Sequence, residues 1–339
     1  MILRPVLIMR KRILISTAVL TALALAAVFL SLWFGARVIP FGDVWQAIFR
    51  PYLDTYNARV VHARIVRTMF GFLAGAALGV SGTVMQSVTR NPVADPSILG
   101  VNTGAALAVV IGLVFFNISR PEQYIWLALG GAGLTAALVY GIASVGASGI
   151  TPIKLALSGA TVSVALGSLL TTVLLPDTDA MNSYRFWQIG SIGAATREHM
   201  FLLLPFFIAG MVMALLLADH LNIVALGDEM ASSLGVNVRL VRLLASAAGV
   251  LLCGATTALA GPIGFVGLMV PHLLRMMTGS DVRVMLPLSA LGGASLLLIA
   301  DVLGRIAGRP GETEVGVITA LLGAPVFIYV IQKAKVRSL

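Results

Sequence analysis

The 339-residue chain is 58% apolar and only 11% charged, against ~25% charged residues in an average soluble protein, so it lacks the charged skin that a soluble fold of this size needs. Its net charge of +9, from 23 Lys+Arg against 14 Asp+Glu, matches basic residues flanking membrane spans; no Lys/Arg run alternates with aromatics, which excludes a nucleic-acid partner. The single cysteine, Cys253, makes no internal disulfide and sets no metal site.

The first element is an apolar run from Ile13 to Gly35, preceded by Arg10, Lys11 and Arg12. It exceeds the ~7–15 residues of a signal-peptide core and reads as a first span, 13–35, that stays. A spanning helix needs ~20 apolar residues. Further charge-free windows lie at 68–89, 96–119, 123–153, 155–176, 200–218, 243–271, 284–300 and 315–332. The window 243–271 contains Gly261-Pro262-Ile263-Gly264, and Pro and Gly punctuate helices. Split into a helix ending near Ala260 and a short one from about Phe265 to Met277, it raises the count to ten spans. The expected fold class is therefore all-α and polytopic, with one transmembrane domain over 1–339.

Orientation follows from charge. Arg10, Lys11 and Arg12 at one end and Lys333, Lys335 and Arg337 at the other place both termini in the cytoplasm, which requires an even number of spans. The outer side then holds an arginine excess: Arg37, Arg50, Arg59, Arg64 and Arg67 before span 2, and Arg305 and Arg309 after span 9. Asp301, four residues before Arg305, is costly near a span end unless paired, and Asp301–Arg305 is a natural i,i+4 pair. Gly71, Gly75, Gly79 and Gly82 in span 2 and Gly159 and Gly167 in span 5 let helices approach closely in lipid.

An internal repeat is visible. Arg64-Ile65-Val66-Arg67 opens span 2 and Arg239-Leu240-Val241-Arg242 opens span 7. Residues 151–159 and 313–323 form a weaker pair. The copies, 64–176 (spans 2–5) and 239–334 (spans 7–10), are five spans apart, and an odd offset gives them opposite orientations. Inverted repeats are a transporter signature. Span 6, 198–218, lies between them.

No Walker A, zinc, haem or nucleophile-elbow pattern occurs, and His62, His199, His220 and His272 are far apart in sequence. The reading is a transport subunit with no catalytic residues and no cofactor of its own. The longest cytoplasmic loop, 220–238, reads as a short helix opening at Asp228-Glu229 and stopped by Gly235, with Ala225, Leu226, Met230 and Leu234 on one apolar face. Such a helix fits a groove on another protein or lies on lipid. Arg90-Asn91-Pro92 reads as a turn and Asp95-Pro96 as the start of span 3.

Four ordered blocks carry a resemblance. The first runs from Arg64-Ile65-Val66-Arg67 through Gly75 and Gly79 to Gln86, and the second covers 90–104. The third joins Leu226-Gly227-Asp228-Glu229 and Leu234-Gly235 to 260–268 and 271–275. The fourth covers 300–305, 314–319 and 322–327. Across about 64–333 the chain resembles the FecCD family of ABC importer permeases, which handle ferric siderophores, haem and cobalamin.

The resemblance implies a type II ABC importer permease fold of ten spans, paired with an identical or paralogous second permease subunit. It implies two cytoplasmic ATPase subunits, which carry ATP and Mg, and an extracytoplasmic substrate-binding protein. Leu226, Gly227, Asp228, Glu229, Leu234 and Gly235 would form the coupling helix on the ATPase. Arg64, Arg67 and Arg305 would face acidic residues of the binding protein. The path would follow span 5, lined by small and hydroxyl residues such as Ser158, Gly159, Thr161 and Ser163. The segment Tyr184-Arg185-Phe186-Trp187 with Gly190-Ser191 resembles ferric-siderophore permeases, with haem or cobalamin as the alternative cargo; Trp187 also suits an interface anchor. The expected location is the bacterial plasma membrane. An ion-coupled secondary transporter would need charges in mid-membrane, and the spans hold almost none. A membrane-embedded enzyme would need clustered catalytic side chains.

Overall fold

A computed structural model describes the chain except residues 1–2, 51, 53, 119, 147–149 and 337–339; Arg337, used above to orient the C-terminus, lies outside the described residues. Among the described residues there are fourteen α-helices and no strand. They are α1 (Leu3–Trp33), α2 (Phe41–Phe49), α3 (Tyr56–Thr89), α4 (Val101–Phe116), α5 (Pro121–Ser144), α6 (Pro152–Leu174) and α7 (Thr178–Ile189). There follow α8 (Arg197–Leu216), α9 (Ala218–Ala225), α10 (Asp228–Ser233), α11 (Val238–Ala260), α12 (Val266–Thr278), α13 (Val282–Ala307) and α14 (Val315–Val336).

Seven of these, α1, α3, α5, α6, α8, α11 and α13, are long and apolar enough to cross a membrane. The shorter apolar helices α4 and α14 bring the number to nine. The tenth is α12, whose 13 residues rise only about 20 Å. Non-helical residues 261–265 lead into it, so the Gly-Pro-Ile-Gly stretch does interrupt the helix.

Helix α3 begins well before its charge-free window. Thr55 caps it, its hydroxyl accepting the Ala58 N–H at 3.2 Å, and Arg90 closes it in the left-handed conformation at φ 50°. Its 34 residues extend about 50 Å, so Arg59, Arg64 and Arg67 ride on its first turns. Within its apolar window 83% of residues are buried, and 78% in α11, against 17% in α1 and 22% in α6. Helices α3 and α11 are therefore the central masts, while α1 and α6 turn most of their surface outward.

The masts are exchanged between two sets of four helices. α3 packs chiefly on α13, while α11 packs on α5, so the first helix of each set is embedded in the other. The interruptions match too. Gly100, at φ 71°, opens α4, and Phe265, at φ 68°, opens α12. Gly159 of α6 packs on the Ile98 backbone, and Gly323 of α14 packs on the Phe265 ring. A left-handed phenylalanine is uncommon, and here it sits where the other set uses glycine. In the seam between the sets, Gly75, Gly79 and Gly82 of α3 meet the backbones of Gly293, Ser289 and Gly267. Without side chains the helices approach closely enough for dispersion contacts along the whole seam.

Helix α2 was not anticipated. Val44 and Ala47 pack it on Ile39, Ala58 and Val61, and the Asp43 carboxylate accepts from Asn57 Nδ2 at 2.6 Å. Its other face shows Phe41, Trp45 and Phe49 exposed, in a ring ladder running back through Trp33 to Phe29 on α1. The outward face of α1, with Leu14, Val19 and Leu25 exposed, continues directly into this ladder, which has the chemistry of an aromatic belt at a membrane–water interface. With Trp45 as the sole tryptophan, its fluorescence is expected to be quenched by lipids brominated near the headgroup and little by aqueous iodide. The reverse pattern would place α2 in water.

Candidate functional site

Among the described residues, ion pairs gather at the two ends of the bundle. The end carrying α2, α7 and residues 308–314 is termed the α7 rim, and the end carrying α9 and α10 the α10 rim.

At the α7 rim a charged network ties α1, α3 and α13 together. Arg67 donates to Asp301 Oδ1 through Nε at 3.1 Å and Nη2 at 2.7 Å, and to Glu312 Oε2 through Nη1 at 2.6 Å. Asp301 Oδ2 stands 2.9 Å from Arg305 Nη2 as an ion pair, at an angle too poor for a hydrogen bond. Arg305 donates to the carbonyl and hydroxyl of Ser31 at 3.1 and 2.9 Å, and Ser31 shares a 2.7 Å hydrogen bond with Thr68. Arg64 donates to the carbonyls of Leu32 and Trp33, which α1 leaves open at its C-terminal end, and to that of Arg37 beyond it.

The expectation set Arg64, Arg67 and Arg305 against a binding protein; the structure places all three as follows. Arg64 is 6% exposed and Arg305 2%, the Arg67 side chain 13%, and all three donate inward. Long guanidinium side chains at a helix mouth reach open carbonyls and a buried carboxylate, and these hold them. Cations that remain exposed on this rim include Arg37, Arg50, Arg59, Arg185, Arg197 and Arg309. Arg37 lies over the Tyr56 ring at 4.5 Å, and Arg309 donates to the Gly35 carbonyl at 2.7 Å. The i,i+4 pairing of Asp301 with Arg305 is present as read, and Arg67 is its unexpected third member.

Beside Arg67 a cavity of about 570 Å³ opens, lined among others by Tyr124, Trp187, Ser191, Glu312 and Glu314. Trp187 is half-buried, packed near Tyr184 with ring centroids 6.3 Å apart, so it lines the cavity instead of standing at the protein's edge.

Helix α6 divides the four path residues. Gly159 is buried against the Ile98 carbonyl, and Ser158 and Ser163 are half-buried. Only Thr161 of the four lies on the exposed face, where it is joined by Ser168, Thr171 and Thr172. Leu157 and Val164, at 68% and 71% exposed, share that face. Each hydroxyl donates to a carbonyl one turn back: Thr161 to Leu157 at 2.9 Å, Ser168 to Val164 at 3.0 Å, Thr171 to Gly167 at 3.0 Å and Thr172 to Ser168 at 2.9 Å. The donors are satisfied within the helix, while oxygen lone pairs remain for water or a passing solute. The stripe is polar enough to be wetted and holds no charge. The exposed edge was hidden in the sequence because the helix carries small residues on every side.

At the α10 rim, α10 begins at Asp228 and its chain turns at Gly227 (φ 120°) and Gly235 (φ 81°). Leu226, Met230 and Leu234 are all more than half exposed, an apolar face with nothing over it. Glu229 is exposed beside them. Asp228, its side chain 47% exposed, directs its carboxylate toward the fold. Arg242 donates to both its oxygens at 2.9 Å, and Arg90 pairs with it as well. Partial burial alone would raise the Asp228 carboxyl, but the hydrogen bonds and charge of Arg242, with Arg90, hold it below the usual carboxylate range. Asn222 of α9 donates to Asp281 at 2.8 Å and accepts the Val282 N–H at 2.9 Å, joining α9 to the start of α13. Among the described residues no group of three or more His, Cys, Asp or Glu gathers as a metal site.

Comparison with known proteins adds the following. The model of the FecCD transport family matches residues 23–333. The chain is 39% identical to the ferric enterobactin transport system permease protein FepD of Escherichia coli (strain K12), over 93% of this chain and 94% of that one. It is 42% identical to the Fe(3+)-citrate import system permease protein YfmD of Bacillus subtilis (strain 168), over 80% of each. A solved inward-facing conformation of a metal-chelate type ABC transporter superposes with a TM-score of 0.81 at 27% identity, covering 96% of this chain and 99% of that one.

Proposed function

The chain belongs to the FecCD transport family, and on that premise we propose that it is the membrane permease of an ATP-driven importer carrying a ferric siderophore or a related iron chelate. The observation that carries the reading is the near end-to-end similarity to ferric-chelate permeases, 93% of one chain on 94% of the other for FepD, joined to the fold of a metal-chelate transporter.

In this reading the α10 rim is cytoplasmic and both termini lie on that side. A second permease subunit stands across the path from this one, and the hydroxyl stripe of α6 lines it. A binding protein delivers the chelate at the α7 rim, steered by the exposed arginines Arg50, Arg59, Arg185 and Arg197 instead of the buried ones; exposed charges act chiefly on encounter rate and orientation. Two ATPase subunits, holding ATP and Mg, seat on the α10 rim, where Leu226, Met230 and Leu234 form an apolar anchor of the kind that fills a partner's groove. The permease needs no tight site of its own, because the binding protein supplies affinity.

Uptake of ferric chelate by vesicles holding permease, ATPase and binding protein is expected to require ATP. Uptake that runs on a proton gradient without the ATPase would overturn the reading in favour of a secondary transporter. Leu226→Glu combined with Met230→Glu is expected to abolish capture of the ATPase, since each buried apolar side chain is worth about 1.5–3 kcal/mol. Unchanged capture would remove α10 from the docking surface.

A further inference from the structure

We propose that Asp228 is a positioning residue that transmits displacement of α10 to the two mast helices, and that it makes no contact with the ATPase. The proposal rests on the importer reading above and assigns a distinct task within it.

Three observations carry it. First, the two acidic residues that open α10 differ in surroundings. Both are exposed, but Glu229 stands next to the bare apolar face, whereas the Asp228 carboxylate, its side chain 47% exposed, is held by two arginines of the fold. Second, those arginines come from the masts. Arg90 is the left-handed residue that closes α3, and Arg242 lies at the start of α11. Arg90 also donates to the Val224 carbonyl at the end of α9, and Arg242 to the Ile150 carbonyl before α6 at 3.1 Å. One carboxylate thus joins α10 to both central helices, and Arg242 extends the link to the helix bearing the hydroxyl stripe. Third, the link is stiff. Arg242 is 3% exposed and grips both carboxylate oxygens. Pulling Asp228 away would leave a buried guanidinium without its counter-charge, which is strongly unfavourable. A bidentate fork also fixes direction as well as distance. A push on the apolar face of α10 therefore moves α3 and α11 before it breaks the fork.

The opposite rim repeats the device. Arg67 and Arg242 are the last residues of the two copies of the Arg-x-x-Arg motif. Each is a buried arginine at the start of a mast, and each holds a carboxylate from outside its own helix: Asp301 and Glu312 for Arg67, Asp228 for Arg242. The masts are thereby gripped at opposite ends, where a lever needs its attachments.

The test uses the complete complex in vesicles and measures ATPase capture, ATP hydrolysis and chelate uptake separately. Asp228→Asn keeps the size of the side chain and removes its charge. It is expected to leave capture and hydrolysis near wild type and to lower uptake per ATP about tenfold, within the ordinary range of coupling energies. Asp228→Glu should recover part of the loss. Unchanged uptake per ATP overturns the proposal. Loss of capture as complete as with Leu226→Glu combined with Met230→Glu also overturns it, since Asp228 would then be a docking contact. Should Asp228→Asn fail to fold, Arg242→Lys keeps the charge and loses the fork; normal coupling in that variant overturns the proposal, as does failure of both variants to fold, which would assign the network to stability alone. The importer reading fails independently, if uptake needs no ATP.

Discussion

Asp301→Ala is expected to cost the folded permease about 3–5 kcal/mol, the range for removing one partner of a buried ion pair. Asp301 is 1% exposed and lies between Arg67 and Arg305. Without it Arg305, 2% exposed, keeps only the neutral oxygens of Ser31, and a buried cation is left without a counter-charge. The apparent Tm in detergent should fall on the order of 10 °C. The double variant Asp301→Leu with Arg305→Met should recover much of that loss. Apolar residues of similar volume often replace a buried pair at little cost, and Arg67 retains Glu312 at 2.6 Å. A single variant as stable as wild type would show that the network does not hold α1, α3 and α13 together. A double variant no better than the single would show that the charges themselves are needed.

The second large effect is steric. A methyl group at Gly82 would fall on the carbonyl of Gly267, a backbone atom that cannot rotate away. Alanine gains about 1 kcal/mol of helix propensity over glycine, yet Gly82→Ala should prevent α3 and α12 from closing, and the protein should elute as aggregate. Overpacking usually costs about 1–3 kcal/mol, and a backbone-on-backbone clash belongs above that range. Two controls separate the clash from the propensity. Gly249→Ala meets the flexible Met85 side chain at 3.2 Å and the Ser81 hydroxyl at 3.5 Å, and Gly141→Ala meets nothing within 4 Å. The first should be mild and the second neutral or slightly stabilising. Equal behaviour of Gly82→Ala and Gly141→Ala would mean that α3 and α12 do not touch backbone to backbone.

Much of the fold was legible because lipid imposes a simple rule: long apolar runs cross and charged residues collect at the ends. The break at Gly261-Pro262 and the i,i+4 pairing of Asp301 with Arg305 were both readable from local spacing. The boundaries were less so. The charge-free window for α3 opens at 68, whereas the helix starts at Tyr56, because arginines that find buried partners are compatible with a helix inside the bundle. Helix α2 escaped notice since nine residues with one acidic group resemble a loop.

The site was read less completely, and arginine shows why. The resemblance implies that Arg64, Arg67 and Arg305 face outward, and nothing nearby in sequence reveals that Leu32, Trp33 and Ser31 of α1 or Glu312 beyond α13 will satisfy them. Asp228 is the same case at the other rim, since Arg90 stands 138 residues away. On α6 the hydroxyl residues were recognised as a class, but which of them face outward depends on where α4 and residues 96–99 pack. Composition and period thus determined by themselves that the chain lives in lipid and where its long apolar segments lie, since each is a property of one segment against its solvent. Tertiary structure alone decided which charges are buried clamps and which stay exposed, because a side chain's partner is chosen by what folding brings within about 3 Å, and that distance has no counterpart along the chain.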